Sequence, residues 1–321
     1  GGGARPGRVA APTCGGMNAA GETVVWVGTA LTANSEVADW WPHTVEEGRF
    51  LDPTRYFVVC ANILGSHDGT TGPLHVNPAT GEPWYGDFPH FTIRDMVAAH
   101  RLLARKLGIG RIAALVGSSV GGFQAVEWAV EEPERFERLV LIATAAKASP
   151  WTIAIDETQR MAIEADATFG ERRDDAGMKG LAAARAIGLL TYRGGEGYNL
   201  TQQDREELPP VHRASTYQQY QGEKLCRRYN AYSYYAILDA FDTHDVGRGR
   251  GGVAAALGGI RARTLVVGIT TDIIFTPREM RELHGQIPGS LYREIDSPFG
   301  HDGFLVEYEQ LDAILAPFMK H

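Results

Sequence analysis

The chain has 321 residues, 44% of them hydrophobic, and a formal net charge of −8 at pH 7. This length predicts about two domains, or one core with a large insertion. The basic residues form no cluster, and no apolar run reaches the roughly 18 residues that a membrane span needs. We therefore expect small-molecule chemistry, with neither a nucleic acid nor a membrane as partner.

The cysteines, Cys14, Cys60 and Cys226, lie far apart and show no C-x-x-C spacing for zinc or redox chemistry. Their usage is typical of a reducing compartment. Residues 1–7 are glycine-rich and lack the apolar segment of a signal peptide. We therefore predict a cytoplasmic protein with a flexible N-terminus.

Strands and helices alternate in the first half of the chain. Short apolar runs predict strands at 23–31, 56–60, 112–116 and 139–143. One helix begins after Thr92, which has Asp95 as its capping-box partner, and another spans 122–131, after the third strand. This alternation predicts an α/β fold, in which a parallel sheet is covered by helices on both faces.

The segment from 149 to 252 has a different character. It is charged, rich in Ala and Tyr, and helical in its periodicity, with polar breaks at 194–197 and 209–210 and almost no strand-like runs. We interpret it as a helical insertion over the sheet. The sheet pattern then returns with strands at 264–268 and 291–295, a helix at 277–284 and a closing helix at 304–319.

The strand at 112–116 runs into Gly117-Ser118-Ser119-Val120-Gly121, which matches the G-x-S-x-G nucleophile elbow. In that motif the glycines let the chain reverse between strand and helix, and the serine oxygen is exposed above the sheet. Ser119 is the candidate nucleophile. The same residues are also compatible with an ordinary turn of an α/β protein. The residues that follow the later strands distinguish a nucleophile elbow from such a turn.

A serine nucleophile needs a histidine to take its proton and a carboxylate to orient that histidine. In folds with this elbow the chain order is Ser, then Asp or Glu, then His, each after a strand. Asp272 follows the strand at 264–268, and His301 follows the strand at 291–295. Asp296 and Asp302 lie too close to His301 in sequence to come from the preceding strand's loop. We therefore predict Asp272 as the acid and His301 as the base.

The oxyanion that forms in acyl transfer needs two backbone N–H donors. One belongs to the residue after the nucleophile, Val120, and the other to a loop after an early strand, for which Leu31 is the candidate. Leu31 is equally compatible with a core position at a strand end. No metal-ligand spacing is present, and no G-x-G-x-x-G fingerprint follows a strand, so we expect neither a metal nor a nicotinamide cofactor.

Seven separated segments of the chain resemble the homoserine O-acetyltransferase family, α/β-hydrolase-fold enzymes of methionine biosynthesis. The segments are 30–32, 56–65, 69–73, 87–89, 92–96, 121–128 and 297–302. The resemblance runs from about residue 20 to the end. It implies an α/β-hydrolase core in two parts, 1–148 and 253–321, with the helical insertion at 149–252 as a lid.

The resemblance implies acetyl transfer from acetyl-CoA to the hydroxyl of L-homoserine by a ping-pong route through an acetyl-serine. Acetyl-CoA is then a co-substrate, and no cofactor is expected. The family's nucleophile, acid and base correspond to Ser119, Asp272 and His301, as the residues themselves predicted. The family association also implies a homodimer formed through the helical insertion.

The resemblance further implies substrate-binding residues. The segments Ala184-Arg185 and Thr191-Tyr192-Arg193 match a family pattern that assigns Arg185 to the homoserine carboxylate, with Tyr192 beside it. A guanidinium suits that role because it forms two parallel hydrogen bonds with a carboxylate. Asp302 corresponds to an aspartate that meets the amino or hydroxyl end of the substrate. Further pocket candidates are Thr32 and Asn62.

Some features depart from the family pattern. The family's first strands precede residue 20, so we expect an incomplete sheet edge here, and Thr29 replaces a usual histidine. The segments 40–42 and 242–250 resemble relatives that acetylate deacetylcephalosporin C. The alternatives are therefore another acceptor, such as serine or deacetylcephalosporin C, a succinyl donor, a serine esterase that uses water, or a binding protein without catalysis.

Overall fold

The computed structural model describes residues 8–16, 23–67, 69–207 and 210–320. The glycine-rich residues 1–7, for which we predicted flexibility, lie outside the described residues, and so does Pro209 in one of the predicted breaks. Within the described residues, no helix combines the length and the apolar character that crossing a membrane requires.

A seven-stranded sheet forms the centre of the described part of the chain. Its strands are β1 (Thr13–Cys14), β2 (Val24–Gly28), β3 (Phe57–Ala61), β4 (Ile112–Ser118), β5 (Phe136–Ile142), β6 (Arg263–Ile269) and β7 (Leu291–Ile295). Their order is β1-β3-β2-β4-β5-β6-β7. β1 pairs antiparallel with β3, and the other neighbours are parallel. The predicted parallel sheet is therefore confirmed, and a two-residue antiparallel strand lies at the edge that we expected to be incomplete.

Helices cover both faces of this sheet. They are α1 (Val37–Trp40), α2 (Ile93–Lys106), α3 (Val120–Glu131), α4 (Pro150–Glu164), α5 (Met178–Thr201), α6 (Arg213–Cys226), α7 (Ala231–Asp242), α8 (Val253–Gly258), α9 (Pro277–Gln286), α10 (Gly303–Val306) and α11 (Tyr308–Lys320). The capping box predicted at Thr92 and Asp95 is present. The predicted closing helix is divided at Glu307, and the short helices α1 and α8 were not predicted.

Side chains of the buried strands alternate between two hydrophobic cores, one on each face of the sheet. In β2, Trp26 packs into the core shared with α2, α3 and α9, whereas Val25 and Val27 face the core shared with α1 and α11. Both β2 and β4 are buried along their whole length. Their sequences are continuous apolar runs because neither face of these strands meets water.

The predicted helical insertion, residues 149–252, lies between β5 and β6 and contains α4 to α7. α5 packs against α4, α6 and the loop that follows β7. The break predicted at 194–197 is a kink inside α5, where Gly194 has φ 65° and ψ 162°. This kink lies against Gly300, the residue before His301. The insertion is therefore in direct contact with the loop that carries the predicted base.

The turn between β4 and α3 brings α3 very close to β2. A Cβ atom on Gly121 would lie 2.4 Å from the carbonyl oxygen of Gly28, and a Cβ atom on Gly28 would lie 2.7 Å from the carbonyl oxygen of Gly121. Both distances are far below a van der Waals contact. The helix and the strand can pack this closely only because glycine stands at both positions.

We expect Gly121→Ala to lower the free energy of unfolding by about 2–3 kcal/mol, because the new methyl group overlaps the Gly28 carbonyl and forces α3 away from β2. Denaturant unfolding followed by circular dichroism measures this change. Gly110→Ala is the matched control, because a Cβ atom there meets no atom within 4 Å. Equal stability of the two variants would contradict the close packing.

Candidate active site

Ser119 lies at the junction of β4 and α3, in the sharp turn that the motif predicted. Its backbone has φ 53° and ψ −125°, a conformation that strains a residue other than glycine. Its N–H donates to the carbonyl oxygen of Ile142 at 3.0 Å, and its carbonyl oxygen accepts a hydrogen bond of 2.6 Å from Thr144 Oγ1. The end of β5 and the residues after it therefore hold the elbow in its strained conformation.

The structure brings His301 and Asp272 together. Nδ1 of the imidazole lies 2.7 Å from Oδ2 of the carboxylate, and the two side chains are 5% and 0% exposed. Because β6 and β7 are parallel neighbours, the residues that follow them meet at one edge of the sheet. Oδ1 of Asp272 accepts backbone hydrogen bonds from Ile274 and Phe275, at 2.7 and 3.1 Å. Both oxygens of this carboxylate are engaged, so its orientation is set.

Two opposing effects determine the pKa of His301. Burial disfavours the charged imidazolium, but the negative charge and the hydrogen bond of Asp272 outweigh burial, and Asp302 acts in the same direction. The pKa of His301 is therefore raised above its usual value of 6.5. With Nδ1 held by a carboxylate, Nε2 is the nitrogen that can take up a proton, as a general base must.

A cavity of about 830 Å³, part of it open to solvent, is lined by Ser119 and His301. Asp272 does not line the cavity itself but contacts His301, which does. The other predicted residues that line it are Leu31, Thr32, Val120, Arg185, Tyr192 and Asp302. Asn62 is buried just after β3 and is not among the described residues that line the cavity, because β2 separates β3 from β4. The structure therefore does not support Asn62 as a pocket residue.

Leu31 and Val120 lie where we predicted the two oxyanion donors. Val120 is the first residue of α3, where backbone N–H groups have no acceptor within the helix. Leu31 lies in a turn after β2 that is closed by a 3.1 Å hydrogen bond from the Ala33 N–H to the Ala30 carbonyl. Because β2 is adjacent to β4, this turn and the elbow lie at the same edge of the sheet and line one cavity. Their placement suits a pair of donors to one carbonyl oxygen.

Arg185 and Tyr192 line the cavity from α5. The guanidinium carbon of Arg185 lies 5.5 Å from the centre of the Tyr192 ring, which is a cation–π contact. In the described part of the chain, no carboxylate forms an ion pair with this guanidinium. Burial raises the pKa of Tyr192 to about 12, so its hydroxyl stays protonated and can donate a hydrogen bond. This wall of the cavity can therefore receive an anionic group.

Asp302 has a partner that the sequence did not reveal. Arg193 Nε donates to Asp302 Oδ2 at 3.0 Å, and both side chains are largely buried. Asp302 also precedes α10, but its side chain makes no capping hydrogen bond there. The one sequence signal for Arg193 was its place beside Tyr192. Two further residues of the site, Asp156, which lines the cavity, and Thr144, lie in no motif that predicts their position there.

The two segments that resemble deacetylcephalosporin C acetyltransferases, 40–42 and 242–250, do not line the described part of the cavity. Trp41 is fully buried, and its indole N–H donates to the carbonyl oxygen of Phe304 at 2.8 Å. Arg250 forms a hydrogen bond of 3.1 Å with the buried Glu127. In the structure these residues contribute to the packing around the site.

No group of three or more His, Cys, Asp or Glu side chains that could hold a metal ion occurs among the described residues.

A family model described as the alpha/beta hydrolase fold matches residues 28–308. The homoserine O-acetyltransferase of Cyclobacterium marinum is 47% identical to this chain over 306 residues, which are 95% of this chain and 87% of that protein. The chain belongs to the homoserine O-acetyltransferase family. The family resemblance found in the sequence is therefore confirmed.

Solved structures agree with this assignment of the fold. The crystal structure of a homoserine O-acetyltransferase from Bacillus anthracis superposes with a TM-score of 0.91 and 23% identity, covering 98% of this chain and 92% of that one. The acetyl esterase MekB superposes with a TM-score of 0.87 and 26% identity, covering 98% and 91%. The predicted α/β-hydrolase fold is confirmed, and the homoserine O-acetyltransferase family shares it with esterases.

We expect Asp272→Asn to lower the pKa of His301 below 6.5, because burial then acts without the carboxylate that opposes it. Titration of the imidazole signals by nitrogen NMR measures this pKa in both proteins. His244 is an internal reference, because burial lowers its pKa to about 4 and Asp272 takes no part in its environment. An unchanged pKa of His301 would show that the carboxylate does not control it.

Proposed function

We propose that the protein transfers an acetyl group from acetyl-CoA to the hydroxyl of L-homoserine, through an acetyl group held on Ser119. The observation that supports this most strongly is that one cavity contains the strained serine, the paired histidine and, on its lid wall, the unpaired cation of Arg185. The first two groups form a nucleophile, and the third selects an acceptor with a carboxylate.

In the first half of the reaction, Ser119 Oγ attacks the thioester carbonyl while His301 Nε2 takes the hydroxyl proton. The backbone N–H groups of Val120 and Leu31 stabilise the oxyanion. Asp272 stabilises the imidazolium that forms. The carbon–sulfur bond then breaks, and the CoA thiol leaves with the proton from His301, so the enzyme retains the acetyl group as a serine ester.

In the second half, His301 takes the proton of the homoserine hydroxyl, whose oxygen attacks the acetyl carbon. The same two N–H groups stabilise the second oxyanion. The bond to Ser119 Oγ breaks, and the serine recovers its proton from His301. Arg185 binds the carboxylate of homoserine, which orients the hydroxyl for attack.

An esterase would use water in place of the alcohol, with the same serine and histidine. This second candidate is favoured by the close superposition with the acetyl esterase MekB. Arg185 distinguishes the two reactions, because hydrolysis of an acetyl-enzyme by water does not require a half-buried cation on the lid. A succinyl donor or a serine acceptor would use the same groups, so only an assay with these substrates distinguishes them.

We also propose that the protein acts in methionine biosynthesis in the cytoplasm, as a homodimer that forms through the insertion. The three cysteines are free, as is usual in a reducing compartment. The dimer is supported by large apolar side chains that α4, α5 and α6 expose to solvent. They are Met161, Leu190, Leu200 and Tyr220, with 48% to 60% of their surface exposed.

We expect incubation with acetyl-CoA alone to add the mass of one acetyl group to the peptide that contains Ser119, as measured by mass spectrometry. Ser119→Ala removes the nucleophile, so we expect turnover to fall by about a thousandfold or more. Ser118→Ala is the matched control, because Ser118 is a buried residue of β4 that does not line the cavity. Absence of the acetyl group from the wild-type peptide would contradict the ping-pong route.

We expect Arg185→Ala to raise the KM for L-homoserine by about tenfold to a hundredfold, because the variant loses the charged hydrogen bonds to the carboxylate. The release of CoA from acetyl-CoA before an acceptor is added should persist. Lys179→Ala is the control, since it removes an exposed cation from the same helix. Assays compare acetyl-CoA and succinyl-CoA with homoserine, serine and water. An unchanged KM would reject Arg185 as the carboxylate ligand.

A further inference from the structure

The carbonyl oxygen of Ser119 and the N–H of Val120 belong to one peptide group, which joins the predicted nucleophile to α3. Among the described residues, this carbonyl oxygen accepts hydrogen bonds from the N–H groups of Gly122 and Phe123, at 2.9 and 3.3 Å. It also accepts a hydrogen bond of 2.6 Å from the hydroxyl of Thr144. The first two hydrogen bonds lie within the first turn of α3, whereas the third and shortest comes from outside the helix.

The Thr144 hydroxyl is the donor in this contact, because a carbonyl oxygen carries no proton. Thr144 is only 1% exposed, so bulk water has little access to the hydrogen bond. The hydroxyl lies where a side chain at position 122 would be, since a Cβ atom on Gly122 would lie 2.4 Å from Thr144 Oγ1. Glycine at this position therefore leaves the space in which Thr144 reaches the Ser119 carbonyl.

The residue before Thr144 is held in an unusual backbone conformation. Ala143 directly follows β5 and has φ 44°, a region that residues other than glycine rarely occupy. Its N–H donates to the carbonyl oxygen of Val267 on β6 at 2.9 Å. Strained backbone therefore occurs at both ends of the hydrogen bond, at Ser119 and beside Thr144. Strain of this kind is concentrated where function requires one particular geometry.

A hydrogen bond to a carbonyl oxygen draws electrons of the peptide group toward that oxygen, which makes the N–H of the same group a stronger donor. We propose that the Thr144 hydroxyl polarises the Ser119–Val120 peptide group and thereby strengthens the Val120 N–H as a donor to the oxyanion. This inference rests on the proposed function. Thr144 does not line the cavity, so it is a positioning residue that acts on the reaction through Val120.

The kinetic test follows single-turnover acetylation of Ser119 by acetyl-CoA. Thr144→Val removes the hydroxyl and keeps the branched shape of the side chain. We expect the maximal rate constant to fall about threefold to tenfold, which is less than the loss of a whole oxyanion donor would cause, with little change in the half-saturating acetyl-CoA concentration. Thr144→Ser retains the hydroxyl and should keep the wild-type rate. An unchanged rate in Thr144→Val, or an equal loss in Thr144→Ser, would overturn the proposal.

Thr264→Val is the matched control for the loss of a buried threonine hydroxyl. Thr264 is also 1% exposed, and its hydroxyl likewise donates to a backbone carbonyl oxygen, that of Ala262, at 2.9 Å. It lies at the beginning of β6, away from the edge of the sheet that carries the site. We expect this variant to acetylate Ser119 at the wild-type rate.

A spectroscopic measurement separates polarisation of the peptide group from mechanical support of the turn. Trifluoroacetone forms a hemiketal with a serine nucleophile, and the hemiketal oxygen occupies the position of the oxyanion. Carbon NMR of the labelled ketone carbon across a pH series measures the pKa of this oxygen. We expect that pKa to be about 0.5–1 higher in Thr144→Val than in the wild-type protein, which corresponds to the threefold to tenfold loss in rate. An equal pKa in the two proteins would overturn the proposal, because a residue that only supports the turn changes how much hemiketal forms rather than how readily it ionises.

Thr144→Ala is measured beside Thr144→Val, since it removes the hydroxyl without placing a methyl group against the Ser119 carbonyl. The hemiketal measurement uses neither acetyl-CoA nor homoserine, so it tests Thr144 independently of the substrates. Failure of the proposed function has a different signature, in which the wild-type protein forms the hemiketal but releases no CoA from acetyl-CoA. Absence of the hemiketal from the wild-type protein would reject Ser119 as the nucleophile and this proposal with it.

Discussion

The strained backbone of Ser119 is the constraint on which the rest of the site depends. A residue other than glycine in such a conformation costs about 1–3 kcal/mol, and the surrounding structure must hold it there. The hydrogen bonds to Ile142 and from Thr144 supply part of that support. Glycine at positions 28 and 121 also lets α3 pack closely against β2 just after the elbow. The same contact brings the turn that contains Leu31 beside the elbow.

The helical insertion supplies side chains that line the cavity around the predicted nucleophile. Its helix α5 touches the loop after β7 at the kink near Gly194, and it carries both Arg185 and Arg193. These two arginines therefore differ in their ion-pair partners. Arg193 is paired with Asp302 beside the base, whereas Arg185 has no carboxylate partner in the described residues. Charge pairing, rather than the identity of the residue, therefore determines which cation is available to a ligand.

The order of the sheet explains why the residues predicted as nucleophile, acid and base lie at one edge of it. Each of Ser119, Asp272 and His301 follows a parallel strand, and β4, β5, β6 and β7 are consecutive neighbours. Residues after parallel strands reach one edge by geometry alone. Asn62 also follows a strand, but β3 is separated from β4 by β2, and the cavity does not extend to it. Sequence order shows that a residue follows a strand but not where that strand lies in the sheet.

The sequence by itself determined six of the seven strands, the helices α2, α3 and α9, the helical character of the insertion, the elbow and the family. These depend on local periodicity, glycine at fixed positions and short motifs. The tertiary structure alone decided the partners of the charged groups. Arg193 and Asp302 are 109 positions apart, and Arg160 and Asp242 are 82 apart, so no local pattern relates them. The position of Asp156 on the cavity wall is likewise a property of packed helices rather than of neighbouring residues in the chain.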